Sequence, residues 1–409
     1  MSDETRRSVE AIWRIEGARV VATVARMVGD VGLAEDLAQD ALADALSQWP
    51  ESGVPRNAGA WLTAVAKRRA IDGWRRRERL DERYRTIARE LEDTAEDEWE
   101  PIGDDVLKLV FAACHPVLSR EAQVALTLRI VSGLTSDEIA RMFLVPVSTM
   151  QQRIVRAKKT LTAARVPFEV PEPHEWGGRL AGVLAVVYLV FTEGYAATSG
   201  DRWIRRDLAD EALRLGRMVA ALTPREPEAH SLVALMELQA SRFAARESPG
   251  GDPILLADQD RGRWDRGQIT RGRAALSRAD ALGRGRGPYA LQAAIAACHA
   301  RAVSVDATDW GEIVTLYEAL EQLTRNPVVT LNRAVAVSKA AGPQAALRIV
   351  DKEVDAGKLR GWYLLPSVRG ELLAQLGRPD EARKELLRAA GLTGNERQRA
   401  VLLEKAAAL

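Results

Sequence analysis

Apolar residues recur at steps of three and four through most of this chain, which is the spacing of one buried helix face. The pattern is most regular over residues 33–49. Its apolar stripe comprises Leu37, Ala38, Ala41, Leu42, Ala45, Leu46 and Trp49. A helix over 9–28, which ends at Gly29-Asp30, is expected to pack on this stripe. A polar connector, 50–60, then leads to a third predicted helix, 61–79.

The polar side of the second predicted helix carries a ridge of acidic side chains. Its members are Glu35, Asp36, Asp40 and Asp44. Like charges four residues apart on a helix repel each other by about 0.2–0.5 kcal/mol, so an unpaired ridge does not stabilise a lone helix. The pattern leaves two interpretations open: a solvated face, or a docking surface for a basic partner helix.

The third predicted helix changes from apolar to basic halfway along. Seven cations stand against two anions, Asp72 and Glu78, over residues 67–79. The cations are Lys67, Arg68, Arg69, Arg75, Arg76, Arg77 and Arg79. With Trp61 and Trp74 interleaved, this composition suits a nucleic-acid backbone whose bases stack on the aromatic rings. Calmodulin-type and membrane-surface helices are also basic, but this one has too little apolar surface among its charges to insert well.

Residues 81–104 are predicted to form an acidic linker. From 81 to 105 the chain has eleven acidic residues, opposed by Arg83, Arg85 and Arg89. The segment ends with Pro101 and Gly103. A run of like charges with these residues at its end is typical of a solvated connection between domains.

Residues 105–166 have the pattern of a helix-turn-helix, whose second helix enters the major groove of DNA. Thr135 with Glu138 predicts a capping box at the first helix, and Ser148 with Gln151 predicts another at the second. Pro146 breaks the chain between them. The second helix has an apolar seam opposite an amide-and-arginine face that suits base reading. The seam is Met150, Ile154, Ala157 and Leu161, and the outer face is Thr149, Gln152, Arg153, Arg156 and Thr160.

A proline-rich segment, 167–175, separates these modules from a long C-terminal series of amphipathic helices. The predicted helices are 176–197, 205–222, 227–246, 268–283, 287–304, 309–325, 328–341, 343–355, 362–377, 379–390 and 395–408. Gly342-Pro343 recurs as Gly377-Arg378-Pro379, an offset of 35–36 residues. Since helix pairs with a period of about 34 residues are typical of tetratricopeptide repeats, the C-terminal end is predicted to be repeat-like.

Two polar loops of the C-terminal part carry carboxylates that could serve acid–base chemistry or a metal. Glu193 and Asp201 lie in one loop, and Asp258, Asp260 and Asp265 lie in the other. Nothing in the sequence sets the distance between the loops, and Asp and Gly are common in loops for backbone reasons. Structural or interface roles are therefore favoured.

Both cysteines precede a histidine, in Cys114-His115 and Cys298-His299. Adjacent residues on a helix point about 100° apart, and neither pair has the spacing of a zinc site. Buried packing is therefore favoured over metal binding. The chain also has no phosphate-binding glycine loop and no nucleophile elbow. We expect no metal, no cofactor and no enzymatic activity.

Composition favours an all-α protein of several domains. The chain has 409 residues, of which 47% are hydrophobic and 5% aromatic, and β-branched runs are rare. Such a length suggests about two to four domains. The net charge of +1 argues against a protein that coats nucleic acid with its whole surface. The charge is instead segregated along the chain, which suits contacts at specific sites.

Cysteine content and hydropathy indicate a cytoplasmic protein. Two cysteines in a chain of this size do not make a disulfide framework, which favours a reducing compartment. The first ten residues are polar and do not resemble a secretory signal. The longest nearly uncharged apolar run, 180–191, falls short of the ~18–20 residues that span a bilayer, so a buried helix is expected there.

The order of these elements resembles regions 2 and 4 of bacterial sigma factors of the extracytoplasmic-function group. The matching segments are AEDLAQDALADAL, WLTAVAKRRAIDGWRRR and LTSDEIARMFLVPVSTMQQRIVRAKKTL. One subgroup carries a large helical extension with tetratricopeptide-like repeats, and the C-terminal part of this chain resembles it. That closer likeness is carried by FAACHP, VALTLRIVSGLT, YLVFTEGYAATSGD, LADQDRGRWD and ALQAAIAACHA.

The resemblance implies an all-α chain whose successive domains have different functions. Residues 1–80 would be region 2, 81–104 the linker, 105–166 region 4, 167–175 a second linker, and 176–409 a regulatory extension. Glu35, Asp36, Asp40 and Asp44 would bind the clamp helices of core RNA polymerase. The −10 promoter element would be held by Arg56, Asn57, Trp61, Lys67, Arg68, Arg69, Arg75 and Arg76. The −35 element would be held by Ser148, Thr149, Gln152, Arg153, Arg156 and Lys159, with region 4 also contacting the polymerase flap.

The resemblance further implies that the extension regulates the sigma core in place of a separate anti-sigma factor. We expect it to dock on the core, with the loops that contain Glu193, Tyr195, Asp258, Asp260 and Trp264 near the contact. The acidic linker is either solvated or mimics single-stranded nucleic acid, as sigma linkers do. One rival interpretation is a helix-turn-helix repressor fused to an enzymatic or ligand-sensing domain, which has no use for the acidic docking helix. A pure repeat scaffold would leave both basic helices unexplained.

Overall fold

The computed structural model describes residues 3–77, 103–143, 145–172, 174–196, 204–248, 250, 252–357, 359 and 361–409. At the helix ends 3–7, 74–77, 103–104 and 141–142 it describes the backbone alone. Throughout these residues every regular element is helical, apart from one isolated β-bridge between Glu247 and Pro253. The predicted all-α fold is confirmed. Most of the predicted acidic linker, 81–102, lies outside the described residues.

The chain folds as two compact units, Met1–Val187 and Tyr188–Leu409. The helices of the first are α1 (Asp3–Val28), α2 (Val31–Ser52), α3 (Ala58–Arg77), α4 (Gly103–Ala113), α5 (Arg120–Ile130), α6 (Ser136–Met142) and α7 (Val147–Ala163). The division falls within α8 (Trp176–Tyr195). The three helices predicted for the front of the chain are confirmed.

The remaining helices lie in the second unit. They are α9 (Arg206–Leu222), α10 (Pro227–Ala240), α11 (Phe243–Arg246), α12 (Arg266–Ala281), α13 (Pro288–Arg301), α14 (Trp310–Thr324), α15 (Pro327–Ala341), α16 (Pro343–Asp355), α17 (Leu364–Gln375), α18 (Pro379–Leu392) and α19 (Glu396–Ala407). Two short 3₁₀ turns, Leu256–Asp258 and Arg261–Arg263, precede α12. Each predicted helix is present, although the one predicted over 227–246 is divided into α10 and α11.

The ends of α2 are set by an aspartate and a glycine. Asp30 caps the first turn through its side chain, and the N–H of Gly53 (φ 79°) donates to the carbonyl of Trp49. The helix continues past Pro50, so the prediction that the connector begins at this proline was wrong. Proline removes only one helical hydrogen bond, whereas the positive φ of Gly53 turns the chain out of the helix.

The first unit buries the predicted apolar stripe of α2. Ala38, Ala41, Ala45 and Trp49 are buried, and the Trp49 ring packs edge-on against Trp61 at 5.3 Å between centroids. Helices α4–α7 enclose their own apolar residues, among them Leu109, Phe111, Leu126, Leu128, Ile139 and Met150. The predicted seam of α7 is buried as expected.

In the second unit, helices α14–α19 pack in sequence, each on the next. The recurring Gly-Pro signal marks equivalent helix starts. Pro343 and Pro379 are the first residues of α16 and α18. Gly342 (φ 91°) and Gly377 (φ 71°) adopt a backbone conformation before them that favours glycine. The sequence repeat therefore corresponds to a repeated local structure.

The helix α8 is long and apolar enough to cross a membrane by length and composition alone. A core helix of a globular protein passes the same test. Leu184, Val187 and Phe191 are buried in the folded chain, in agreement with the expected buried helix.

Candidate functional site

The acidic ridge of α2 is not unpaired, because cations from three other helices reach it. Arg69 of α3 donates to Asp44 through its Nε (3.1 Å) and Nη2 (2.7 Å) atoms. The Nη1 atom of Arg69 also contacts Asp40 at 3.3 Å. The repulsion expected for the isolated ridge is therefore offset by tertiary ion pairs.

The N-terminal end of the ridge pairs with the helix-turn-helix module. Glu35 accepts from Arg129 of α5 and from Lys158 of α7, each at 2.8 Å, and Lys158 also contacts Asp36. Glu35 is only 2% exposed, whereas the side chain of Asp36 is 66% exposed. Sequence reasoning missed Arg129 and Lys158, because they lie 94 and 123 residues from Glu35 and no local pattern connects them.

The residues predicted for −10 recognition divide into exposed and packed groups. Arg56, Asn57 and Arg68 are exposed. The side chain of Asn57 accepts from the N–H of Ala60 (3.0 Å), so it also caps the start of α3. Trp61 packs on Trp49 and is half-buried.

Two predicted cations of α3 are not fully solvated. Arg69 is held by the acidic ridge. Burial, and then the charge of Arg26, lower the pKa of Lys67. The side chains of Arg75 and Arg76 lie outside the described part of the structure. The exposed basic surface of α3 that the structure describes therefore centres on Arg68.

The outer face of α7 is available to a partner. Ser148, Thr149, Gln152, Arg156 and Lys159 are exposed, and Arg153 is half-buried. Arg153 and Gln152 line a groove whose other wall includes Ser119, at the start of α5. This face carries amide, hydroxyl and guanidinium groups, which are the donors and acceptors that read base edges.

One of the two predicted capping boxes is confirmed. Thr135 and Glu138 exchange hydrogen bonds, from the N–H of Glu138 to the Thr135 hydroxyl (3.2 Å) and from the N–H of Thr135 to the Glu138 carboxylate (2.8 Å). The box predicted from Ser148 was wrong. Pro146 is the N-cap of α7 and no side chain caps it, because the helix begins one residue before Ser148.

The described residues of both predicted polar loops make contacts within the second unit. Glu193 lies in the last turn of α8, so the prediction that it lies in a loop was wrong, and it forms an ion pair with Arg205 at 3.5 Å. Asp201 lies outside the described residues. The guanidinium of Arg246 lies over the Tyr195 ring, 3.5 Å from its centroid, and burial lowers the pKa of Arg246 to about 10. These contacts favour structural roles for Glu193 and Tyr195.

The second loop is organised by caps. Asp260 accepts from the N–H of Gly262 at 2.8 Å, and Asp265 caps α12 by accepting from the N–H of Gln268 at 2.9 Å. Trp264 is buried, whereas Asp258 and Asp260 are exposed. The carboxylates of Asp260 and Asp265 thus accept hydrogen bonds from the backbone, as expected for aspartates in loops.

Both cysteines are buried, as predicted. The Cys114 sulfur lies 3.4 Å from the Thr127 hydroxyl, and burial raises the pKa of each thiol to about 11. Burial, and then the charges of Arg242 and Arg261, lower the pKa of His299 to about 4. Among the described residues no group of three or more His, Cys, Asp or Glu side chains could hold a metal ion.

Three family models match separate parts of the chain. Sigma-70 region 2 matches residues 13–80, and sigma-70 region 4 matches residues 108–161. A family of unknown function, DUF6596, matches residues 179–280. The first two matches cover α2, α3 and the helix-turn-helix, the elements that carry the paired acidic ridge and the two basic faces.

Comparison with curated proteins gives relatives of two kinds. An uncharacterized protein of Rhizobium meliloti (strain 1021) is 44% identical over 396 residues, which cover 94% of this chain and 92% of that protein. The probable ECF RNA polymerase sigma factor SigI of Mycobacterium tuberculosis (strain ATCC 25618 / H37Rv) is 29% identical over 172 residues, which cover 41% of this chain and 59% of that protein.

Among solved structures, a tetratricopeptide repeat protein from Parabacteroides merdae ATCC 43184 aligns with this chain at 13% sequence identity and a TM-score of 0.36. The alignment covers 66% of this chain and 98% of that protein. That score is too low to carry a conclusion about the fold. The assignment rests on the two sigma-70 regions, which follow each other in order along the chain and match separate sets of helices, and on the similarity to SigI. The chain belongs to the sigma-70 family of RNA polymerase sigma factors, in its extracytoplasmic-function group, and carries a helical C-terminal extension.

Proposed function

We propose that this sigma factor acts in the cytoplasm, where it brings core RNA polymerase to promoters through three separate surfaces. The ridge of α2 binds the basic clamp helices of the polymerase. The connector and α3 hold the melted −10 element, and α7 reads the −35 element while region 4 contacts the flap. The chain performs no chemistry of its own in this scheme.

The observation that carries the proposal is the outer face of α7. It joins a buried apolar seam to an exposed polar surface that includes Gln152, Arg156 and Lys159. This helix follows a capped first helix and a turn that contains a proline, which is the arrangement of a helix-turn-helix whose second helix fits the major groove. Arg68 and Arg56 support a second nucleic-acid contact, because both are exposed on region 2.

We also propose that the extension regulates the sigma core by docking on it. The two units belong to one chain and are joined within α8, so each is present at a high effective concentration relative to the other. A weak contact would then be occupied most of the time. Asp258 and Asp260 are exposed and suit such a contact. Trp264 is buried in its own unit and does not.

The proposal is tested by transcription in vitro with core RNA polymerase and a library of genomic DNA fragments. Because the fragments are unselected, no promoter consensus has to be assumed. We expect the full-length chain to add discrete start sites that share two upstream elements. Core polymerase alone is the control. If the chain added no start sites, or bound DNA and repressed transcription without binding polymerase, the proposal would be wrong.

A further inference from the structure

Region 4 is docked directly on region 2, and the centre of this contact is the buried carboxylate of Glu35. One of its oxygens accepts from Arg129 of α5, and the other accepts from Lys158 of α7, each at 2.8 Å. Burial alone would lower the pKa of Lys158, but the carboxylates of Glu35 and Asp36 outweigh it and raise the pKa. The lysine is therefore held in its charged form against α2.

The same two helices also touch beside the ion pairs. The hydroxyl of Thr162, on α7, donates to Asp30 at 2.7 Å, while the other oxygen of Asp30 caps α2. A Cβ atom at Gly32 would lie only 3.2 Å from the Cβ of Lys158. The backbones of α2 and α7 therefore approach as closely as a glycine permits. We call the packing of α7 on residues 30–36 the closed contact.

Helix α1 extends this packing to the rest of region 4. Arg14 forms an ion pair with Glu138 of α6 at 2.6 Å. The Trp13 ring packs against Gly133, where an added Cβ atom would lie 3.1 Å from the ring. Arg26 pairs with Asp105 of α4 at 3.2 Å. Region 4 therefore contacts α1 as well as α2.

We propose that the closed contact is a resting state in which region 4 occupies the polymerase-docking end of the acidic ridge. A carboxylate that is 2% exposed and already holds two cations cannot also receive the basic helix of a polymerase. Lys158 and Arg129 act as an internal substitute for that partner. Polymerase therefore reaches Glu35 only when α7 leaves α2, and the same movement frees the exposed Asp36 from Lys158. This inference rests on the function proposed above, since it concerns regulation of the same ridge.

The state of the contact sets the apparent affinity for polymerase. When only the open fraction of a protein can bind, the apparent dissociation constant is the intrinsic constant divided by that fraction. A closed contact populated at about 90% would weaken binding about tenfold, and one at 99% about 100-fold. Opening the contact should therefore strengthen binding, whereas an ordinary loss of structure would weaken it.

The first experiment locks the contact in the full-length chain. Gly32→Cys and Lys158→Cys place two Cβ atoms 3.2 Å apart, slightly closer than the ~3.5–4.5 Å of a disulfide, so the two helices need to separate by only a few tenths of an ångström. The native Cys114 and Cys298 are buried, which keeps them from competing. We expect a mild oxidant to join the pair, and the oxidised chain to bind core polymerase at least about tenfold more weakly than the same chain after reduction. Each single-cysteine variant is a control.

The outcomes separate this inference from the function it rests on. If the pair did not cross-link, the closed contact would not exist in solution, and the inference would fall. If oxidised and reduced chains bound polymerase equally, masking of the ridge would be disproved while the proposed function survived. Failure of the unmodified chain to bind polymerase would remove the proposed function, and the inference with it.

A second variant opens the contact without new cysteines. Lys158→Glu places a third carboxylate beside Glu35 and Asp36, which repels α7 from α2. We expect polymerase binding, measured without DNA, to become about tenfold tighter than for the unmodified chain. Misfolding cannot produce tighter binding, so a gain supports the closed contact. Unchanged or weaker binding by a variant that keeps its helical content would overturn it.

Discussion

Residues of α7 differ in depth, and their depth predicts how each should contact DNA. Arg153 is half-buried in the groove beside Ser119, so its guanidinium has a restricted direction. Lys159 is exposed on the same helix. A guanidinium with a fixed direction can make paired hydrogen bonds to one base, whereas a flexible ammonium usually contacts phosphate.

We therefore expect Arg153→Ala and Lys159→Ala to weaken promoter binding in different ways. Loss of Arg153 should cost about 1–3 kcal/mol at one or two positions of the −35 element. Loss of Lys159 should weaken binding to all sequences similarly and reduce the salt dependence. The measurement is binding of each variant to a panel of −35 elements with single base changes. If Arg153→Ala weakened every element to the same extent, the assignment of this face would be wrong.

At the scale of elements, the packing of α17 on α18 depends on a glycine. A Cβ atom at Gly370 would lie 2.9 Å from Cγ of Leu386 and 3.2 Å from the carbonyl oxygen of Ala382. The second of these is a backbone atom and cannot rotate away. Gly391, on α18, provides a matched contrast, because a Cβ there would meet nothing within 4 Å.

We predict opposite effects of alanine at these two glycines. Gly370→Ala should lower the free energy of unfolding by about 1–3 kcal/mol, since it forces two packed helices apart. Gly391→Ala should raise it by about 0.5–1 kcal/mol, since alanine is the better helix former. Urea unfolding of the full-length chain, followed by circular dichroism, measures both. Equal effects of the two substitutions would show that close packing at Gly370 is unimportant.

At the scale of the whole molecule, the point of truncation matters. The start of α8 belongs to the first unit, where Trp176 packs on the Phe111 ring (5.2 Å) and Arg179 donates to the Phe111 carbonyl (3.1 Å). A chain that ends at residue 173 loses both contacts. A chain that ends at Val187 keeps them and removes only the second unit.

We expect the chain 1–187 to differ from the full-length protein in promoter-dependent transcription by more than the scatter between replicates, because a tethered regulator is removed. Either direction of change supports regulation by the extension. The chain 1–173 is the control for damage to the first unit, and its unfolding should occur at lower urea concentration. Equal transcription by 1–187 and the full-length chain, with no cross-links between the two parts, would contradict regulation by docking.

Local patterns in the sequence were sufficient for the helices and for the faces that they bury. The stripe of α2, the seam of α7 and the Thr135 capping box all follow from spacing within one or two turns, where each residue meets neighbours three or four positions away. Two local predictions failed at prolines. Pro50 lies inside α2 and did not end it, and Pro146 is the N-cap of α7, which therefore begins before Ser148. A proline lacks an N–H group, so it costs a hydrogen bond inside a helix but none at the helix start, where that N–H has no partner within the helix.

The ion pairs of the acidic ridge could not be read from the sequence. Asp44 meets Arg69 from 25 residues away and Glu35 meets Lys158 from 123 residues away, so each pairing depends on how whole helices pack. A charged residue carries the same local signal whether it is solvated, bound to a partner or paired within the fold. The burial of a charged residue and the identity of its partner depend on how the helices assemble. Residue spacing therefore predicted the acidic ridge and the basic helices, whereas only the tertiary structure showed that the ridge forms ion pairs with those helices.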